Sequence, residues 1–171
     1  DCLVGSEMCI RDSLYPHYAM SSYETVVAKV ETEIKSNFPD LNKTIIPPFY
    51  NDSDYIDVMC NNIKSNLKGV EYDHILFSYH GIPESHVKIS DTTKSHCLKE
   101  QDCCSISSEA HKTCYRHQVF ETTELIVKKL GIKEGSYSNS FQSRLPLQPW
   151  LKPYTDFELQ RLPKDGKKKS V

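Results

Sequence analysis

Residues 74–83 read His-Ile-Leu-Phe-Ser-Tyr-His-Gly-Ile-Pro, and this stretch decides the fold class. Its first half is a short apolar run of the kind that is buried in parallel sheets. Pro83 cannot continue a strand, so the strand should end near His80. Open α/β sheets bind their ligands at the carboxyl ends of strands, which makes His80 the first candidate site residue.

Helix and strand patterns alternate on both sides of this stretch. Capping signals and helical spacing predict helices over 21–38, from Asp52 onward, over 109–130 and from Thr155 onward. Short β-rich runs predict further strands over 44–46 and 137–142. This alternation predicts an α/β fold in which helices flank a parallel sheet.

Composition excludes several classes of protein. The 21 basic and 23 acidic residues give a net charge of -2, which argues against a nucleic-acid binder. No apolar stretch reaches the length of a membrane span. Seven cysteines without a secretory signal indicate reduced thiols or metal ligands, and they predict a cytoplasmic location. The oligomeric state is not indicated.

The two ends of the chain predict a piece of a longer protein. Residues 1–12 show no usable periodicity, and we expect them to be a leader foreign to the fold. The last residues stop where another strand should begin, so residues 13–171 are interpreted as an internal fragment.

His80 is the strongest histidine candidate for chemistry. Its imidazole can serve as a base or as a metal ligand near neutral pH, and the neighbouring Gly81 would let a ligand approach the backbone. A structural histidine that only hydrogen-bonds a loop is the alternative. His74 should begin the strand, and the others are expected to be solvated on loops or helix surfaces: His17, His86, His96, His111 and His117.

Four cysteines follow in a polar segment, spaced C-x5-C-C-x9-C: Cys97, Cys103, Cys104 and Cys114. Thiolates in this number can hold a zinc ion or an iron–sulfur cluster, and four unrelated free thiols are the alternative. The spacing lacks the paired knuckles of a zinc finger. Cys60, within the second predicted helix, is expected to be a small core residue.

Several longer motifs occur in one order along the chain. They are LYPHYAMSS at 14–22, PPFYNDSDYIDVM at 47–59, HILFSYHGIPESH at 74–86, CYRH-x3-ETT at 114–123 and SNSFQSRLPLQPWLKPYTD at 138–156. Together they closely resemble the bacterial ferrochelatase family, from residue 14 to the end of the chain.

The resemblance implies a chelatase-like, Rossmann-like fold of two α/β lobes with a porphyrin cleft between them. It implies insertion of Fe(II) into protoporphyrin IX to form protoheme, the terminal step of heme biosynthesis. His80 matches the active-site histidine, which binds the metal or accepts a pyrrole proton. The residues that match the cleft and its porphyrin-side loop are Gln142, Ser143, Arg144, Trp150, Tyr15 and Tyr18.

The resemblance also implies a [2Fe-2S] cluster, because some members carry one in a cysteine-rich insertion after the active-site histidine. Here that insertion covers about 84–114, with Cys97, Cys103, Cys104 and Cys114 as ligands. About half of a typical member is represented, so we expect the fragment alone to be inactive. Pro146 stands where relatives commonly have glycine, and peripheral membrane contact is left open.

Two other functions compete with this interpretation. A related chelatase would insert a different divalent metal, such as cobalt, into another tetrapyrrole. A non-catalytic iron–sulfur or zinc-binding module would bind metal through the cysteines without porphyrin affinity.

Overall fold

A computed structural model describes residues 14–100 and 102–171, so the predicted leader over 1–12 lies outside the described residues. Within these residues, two strands and five α-helices follow in chain order: α1 (Thr25–Asn37), α2 (Ser53–Leu67), β1 (Ile75–His80), α3 (Glu84–Ser90), α4 (Tyr115–Leu130), β2 (Tyr137–Gln142) and α5 (Thr155–Arg161). The predicted mixed α/β class is confirmed.

The described sheet consists of β1 and β2, which pair in parallel. The register places Ile75 opposite Tyr137 and His80 opposite Gln142. Parallel strands need a long crossover connection, and here it contains α3, the cysteine segment and α4. Both strands therefore end at the same edge of the sheet, and the cysteines lie between them in sequence.

The other side of β1 is paired with the last residues of the chain. His74 and Ser170 form a parallel bridge, and the Leu76 N–H donates to the Val171 carbonyl at 2.7 Å. The Val171 N–H in turn donates to the His74 carbonyl at 3.0 Å. His74 was predicted to begin the strand; it forms this bridge one residue before β1, which begins at Ile75.

Helix α4 carries much of the core. Val119 and Ile126 are fully buried along it, and Gly131 ends it in the left-handed region at φ 68°. Helix α2 packs against α4 through Ile56 and Cys60, which meet Ile126 in one apolar cluster. Cys60 is 2% exposed, so its predicted core position is confirmed.

Three local predictions were wrong. Residues 44–46 form no strand, because no described segment pairs with them. The first helix begins with a π-helical turn at Met20–Glu24 and has no capping side chain, so Ser21 does not cap it. Thr155 is the first residue of α5 and leaves it uncapped, since its hydroxyl hydrogen-bonds to Ser78 and Ser140 instead.

The predicted helix over 109–130 is two helices. A 3-10 turn covers Glu109–Thr113, and the chain is extended at Cys114 before α4 begins. The interruption directs the Cys114 side chain into the core, where it is 2% exposed. Among the described helices, none combines the length and the apolar character needed to span a bilayer.

Candidate active site

His80 is the last residue of β1, and its side chain is exposed at the carboxyl edge of the sheet. Its main chain is fixed from two sides. The Tyr115 hydroxyl donates to the His80 carbonyl at 2.8 Å, and the neighbouring strand places Gln142 opposite His80. The predicted position of His80 at a strand end is confirmed, and the imidazole is free to meet a ligand from solvent.

Gly81 lies where β1 leaves the sheet. Its N–H donates to the Gln142 carbonyl at 2.8 Å. A Cβ at Gly81 would stand 2.7 Å from that oxygen and 3.4 Å from Cε3 of Trp150. The glycine is therefore required by the chain's own backbone, and the approach of a ligand at Gly81 stays a prediction.

Trp150 lies behind this turn. It forms an antiparallel bridge with Pro83, and the Leu151 N–H donates to the Ile82 carbonyl at 3.0 Å. The indole is 8% exposed, and its N–H has no hydrogen-bond partner among the described residues. In this conformation the ring supports the strand-end turn and presents little surface to solvent.

Gln142 is the last residue of β2, Ser143 and Arg144 follow it, and all three are exposed. Ser143 turns the chain in the left-handed region at φ 66°. Arg144 donates two hydrogen bonds to the Asp156 carboxylate at 2.7 and 2.9 Å, and its guanidinium lies over the ring of Tyr154 at 4.2 Å. These contacts direct the Arg144 side chain toward α5.

The loop after Arg144 carries exposed apolar side chains that the sequence patterns did not indicate. Leu145 is 63% exposed, and Leu147 is fully exposed. Leu147 also adopts a positive φ of 90°. Exposed apolar side chains that are close in one loop can contribute to a binding surface for an apolar ligand. The sequence did not predict that these leucines are exposed, because the exposure of a side chain depends on the fold.

Tyr15 and Tyr18 are half-buried in the segment before α1. The Tyr18 N–H donates to Oε1 of Gln118 in α4 at 2.7 Å, which ties this segment to the core. Burial is the main cause that raises the pKa of Tyr18, and a hydrogen bond with Glu24 raises it further. The structure thus attaches the predicted porphyrin-side loop to the helix that follows the cysteines.

His17 is buried, although it was predicted to be solvated. Its ring lies edge-on to those of Tyr79 and Tyr115 at 5.8 Å each, and Nε2 is 3.0 Å from the Thr122 hydroxyl. Burial lowers the pKa of His17 to about 4, so the ring is neutral near pH 7. Because Tyr115 also holds the His80 carbonyl, His17 belongs to the support behind the candidate site.

The cysteine segment is organised by Asp91. Its carboxylate accepts the N–H groups of His96 and Cys97 at 2.8 Å each, and that of Thr93 at 2.9 Å. Burial alone would raise the pKa of Asp91, but these hydrogen bonds lower it well below its usual range. An ionised aspartate therefore holds the turn that places Cys97 in the core.

The four predicted ligand thiols lie together. Cys97, Cys103 and Cys114 are each 2% exposed, and Cys104 is half-buried. A hydrogen bond with Cys104 lowers the pKa of Cys114 to about 6, and the same contact raises the pKa of Cys104. Burial is the main cause that raises the pKa of Cys97, and contact with Cys114 raises it further.

Three histidines surround this loop, contrary to the prediction that they are solvated. His96, His111 and His117 are half-buried, and His111 stacks on His117 with ring centroids 3.5 Å apart. Within residues 14–100 and 102–171, no three His, Cys, Asp or Glu side chains are arranged around one metal ion.

Two surface cavities are described by the residues that line them. One of about 250 Å³ lies beside Glu84 and Arg116, and one of about 340 Å³ lies beside Cys104 and His117. His80 lines neither of them.

Comparison with known proteins agrees with the motifs at these positions. Residues 4–171 match the family model described as Ferrochelatase. A protein named Ferrochelatase from Opitutus terrae is 47% identical over 155 residues, which cover 91% of this chain and 45% of that protein. A second, from Pseudomonas fluorescens strain Pf0-1, is 38% identical over 157 residues, covering 91% of this chain and 46% of that protein.

The chain spans about half the length of the curated relatives that it matches. The match covers both strands, the strand-end histidine, the cysteine segment and the loop after β2. With a family model matched over nearly the whole chain, this protein belongs to the ferrochelatase family.

Proposed function

We propose that a full-length protein carrying this sequence inserts Fe(II) into protoporphyrin IX and forms protoheme, the terminal step of heme biosynthesis. The observation that carries the proposal is the exposed imidazole of His80 at the carboxyl edge of a parallel sheet. Hydrogen bonds at Tyr115 and Gly81 fix the main chain of His80 and of the residue after it. Family membership supports the same reaction, because the matched relatives are named Ferrochelatase.

The reaction needs a group that handles both a metal ion and protons. Insertion of Fe(II) replaces two pyrrole protons, so a base or a metal ligand must stand beside the macrocycle. A neutral imidazole serves either purpose near pH 7. His80 has this chemistry, and the exposed Gln142 lies opposite it on β2.

A porphyrin is a flat apolar disc with acidic substituents at its rim, and it needs an apolar wall. Leu145 and Leu147 supply exposed apolar surface in the loop after β2. We propose that this loop, with Gln142, Ser143 and Arg144 at its start, contacts the porphyrin. We propose that Tyr15 and Tyr18 form a second segment that contacts the porphyrin. Trp150 is proposed to support the turn after β1.

Replacement of His80 tests the function. In the full-length protein, His80→Ala should lower the rate of Fe(II) insertion by at least about 100-fold, as expected for loss of a positioned proton acceptor. Porphyrin binding, followed by fluorescence quenching, should persist because the apolar loop is unchanged. The matched control is His86→Ala, which removes a histidine from α3 and should leave turnover intact.

Retained turnover in His80→Ala would refute the assigned role. The rates of Co(II) insertion and Fe(II) insertion, measured side by side, distinguish the iron enzyme from a chelatase for another metal. Lack of porphyrin affinity in the full-length protein would instead favour a non-catalytic metal-binding module.

We also propose that the four thiols hold a [2Fe-2S] cluster. The donor set fits: three of the sulfurs are buried, and all four lie within one segment. The Leu98 N–H donates to the Cys103 sulfur at 3.4 Å and the Arg116 guanidinium does so at 3.7 Å, contacts that would stabilise anionic sulfur. A binuclear cluster distributes its four thiolates over two irons, so it needs no common centre for three ligands. When bound, it would supply a one-electron redox centre near the core.

Absorption spectroscopy of anaerobically purified protein tests the cluster. Cys103→Ser should remove the visible absorption of an iron–sulfur centre. Cys60→Ser should leave that absorption unchanged, because Cys60 belongs to the apolar core between α2 and α4. Equal spectra for the protein and Cys103→Ser would exclude this ligand set. Bound zinc in a colourless protein would favour a zinc site in its place.

Cytoplasmic location is part of the same proposal. It is supported by the five cysteines of the described part of the chain, which are all free thiols. A reporter fused to the full-length protein, assayed in separated cell fractions, tests this location and would reveal peripheral membrane contact.

A further inference from the structure

Two histidine nitrogens and one carbonyl oxygen converge beside the cysteine loop. His96 Nε2 lies 2.8 Å from the Cys103 carbonyl oxygen, and His111 Nε2 lies 3.2 Å from the same oxygen. The two Nε2 atoms are 3.3 Å apart. Three electron-pair donors thus form a triangle with edges close to 3 Å.

This spacing is that of ligands around a small divalent cation. Ligand atoms placed about 2.0–2.1 Å from a tetrahedral ion stand about 3.3 Å from one another. Imidazole nitrogen combined with a carbonyl oxygen suits Zn²⁺ and Fe²⁺, both of which bind nitrogen and oxygen donors. We propose that His96, His111 and the Cys103 carbonyl form a site for one such cation, with solvent completing its coordination.

When both rings carry their proton on Nε2, hydrogen bonding leaves part of the triangle unexplained. Each Nε2–H can donate to the Cys103 oxygen, whose two lone pairs accept both. The two Nε2 atoms would then both be donors at 3.3 Å, with no hydrogen bond between them. A cation replaces both hydrogens and makes all three short distances favourable.

The surrounding contacts fix both rings. The Asp91 carboxylate accepts the main-chain N–H of His96 at 2.8 Å. The His111 ring stacks on His117 with an interplanar angle of 10°, and His117 is held by the Cys104 carbonyl at 2.9 Å and the Glu121 carboxylate at 3.0 Å. A ligand pair held in this way loses little conformational freedom when it binds an ion.

An ion can reach the site from solvent. His96 and His111 are half-buried, and a cavity of about 340 Å³ opens beside Cys104 and His117. The side-chain ligands are distinct from the four thiols, because Cys103 contributes its carbonyl oxygen and keeps its sulfur. The site therefore does not depend on the chelatase reaction or on the [2Fe-2S] cluster.

Zinc titration followed by NMR of the imidazole nitrogens tests the proposal on the 171-residue chain. Added Zn²⁺ should shift the Nε2 resonances of His96 and His111 together, with one binding curve. Those of His86, on α3, should stay in place. Coordination at Nε2 changes the chemical shift of that nitrogen directly, whereas zinc at the thiols acts on it only through the surrounding loop. The size of the Nε2 shift therefore separates the two kinds of site.

The variants His96→Gln and His111→Gln keep an amide that can donate to the Cys103 carbonyl, and so they preserve the fold while removing a ligand. Each should weaken Zn²⁺ binding, measured at the remaining histidine, by at least about 10-fold, and His86→Gln should not. Zinc binding that leaves both imidazole resonances unmoved would overturn the site. So would an unchanged affinity in a folded His96→Gln variant.

Discussion

Gly81 illustrates how a single residue sets the geometry of the candidate site. Its N–H bonds to the Gln142 carbonyl, and the absence of a Cβ lets that oxygen approach. The same position is in contact range of Trp150 from the other side. The direction in which His80 leaves the sheet therefore depends on a neighbour that has no side chain.

Gly81→Ala should destabilise the protein. The new Cβ would stand 2.7 Å from a backbone oxygen, so β1 and β2 must separate near their ends. We expect a loss of about 1–3 kcal/mol in the free energy of unfolding, measured in urea. Ser85→Ala, at an exposed position on α3, is the control and should change little. An unchanged stability in Gly81→Ala would show that the two strand ends are not packed as described.

At the scale of elements, the cysteine loop depends on one carboxylate. Asp91 uses both oxygens to accept the N–H groups of Thr93, His96 and Cys97, and it is 2% exposed. Ionised aspartate is well suited to this position because it accepts without donating. The charged carboxylate therefore stabilises the loop, and protonation would weaken these hydrogen bonds.

Asp91→Asn should loosen this loop. The amide nitrogen of asparagine would face main-chain N–H donors, leaving at least one hydrogen bond unmade at a cost of about 1–3 kcal/mol. We expect faster reaction of the buried Cys97 thiol with an aromatic disulfide reagent. Asp102→Asn, at an exposed position of the same loop, serves as the matched control. Equal rates for the two variants would contradict the role of Asp91.

The elements differ in how well their sequences predict them. Helix α2 follows Asp52, whose carboxylate caps it by accepting the N–H groups of Asp54 and Tyr55, so a local signal sufficed. Strand β2 was predicted with its observed limits. The run over 44–46 has strand composition but no partner, and a strand exists only through its pairing.

The residues of the candidate site also differ in how well the sequence predicts their positions. The strand-end position of His80 follows from the apolar run and Pro83, which are local in sequence. The burial of His17 and the meeting of His96 with His111 depend on distant residues, so no pattern indicated them. A histidine's surroundings are set by tertiary packing, and its neighbours in sequence carry little information about them.

Across the whole molecule, buried histidines link stability to pH. His17 has a pKa of about 4 in the folded protein, below the ordinary value of 6.5. The unfolded chain therefore binds more protons between these two values, and acid favours unfolding. Burial lowers the pKa of His111 and of His74 as well, so these rings act in the same direction.

The free energy of unfolding should fall as pH decreases from about 7 to about 4, with His17 contributing at most about 3 kcal/mol. Urea denaturation at a series of pH values measures this. His17→Gln keeps a polar contact with Thr122 but does not titrate, so its stability should depend less on pH. Parallel pH profiles for the two proteins would rule out His17 as a contributor.

The crossover between β1 and β2 has a consequence for synthesis on the ribosome. Strand β1 emerges first, but its partner follows only after the cysteine segment and α4. Until β2 is complete, the β1 edge that β2 will cover stays unpaired in the nascent chain, where it can pair with other chains. The segment that carries the candidate catalytic histidine is therefore open to such pairing for as long as the crossover is being synthesised.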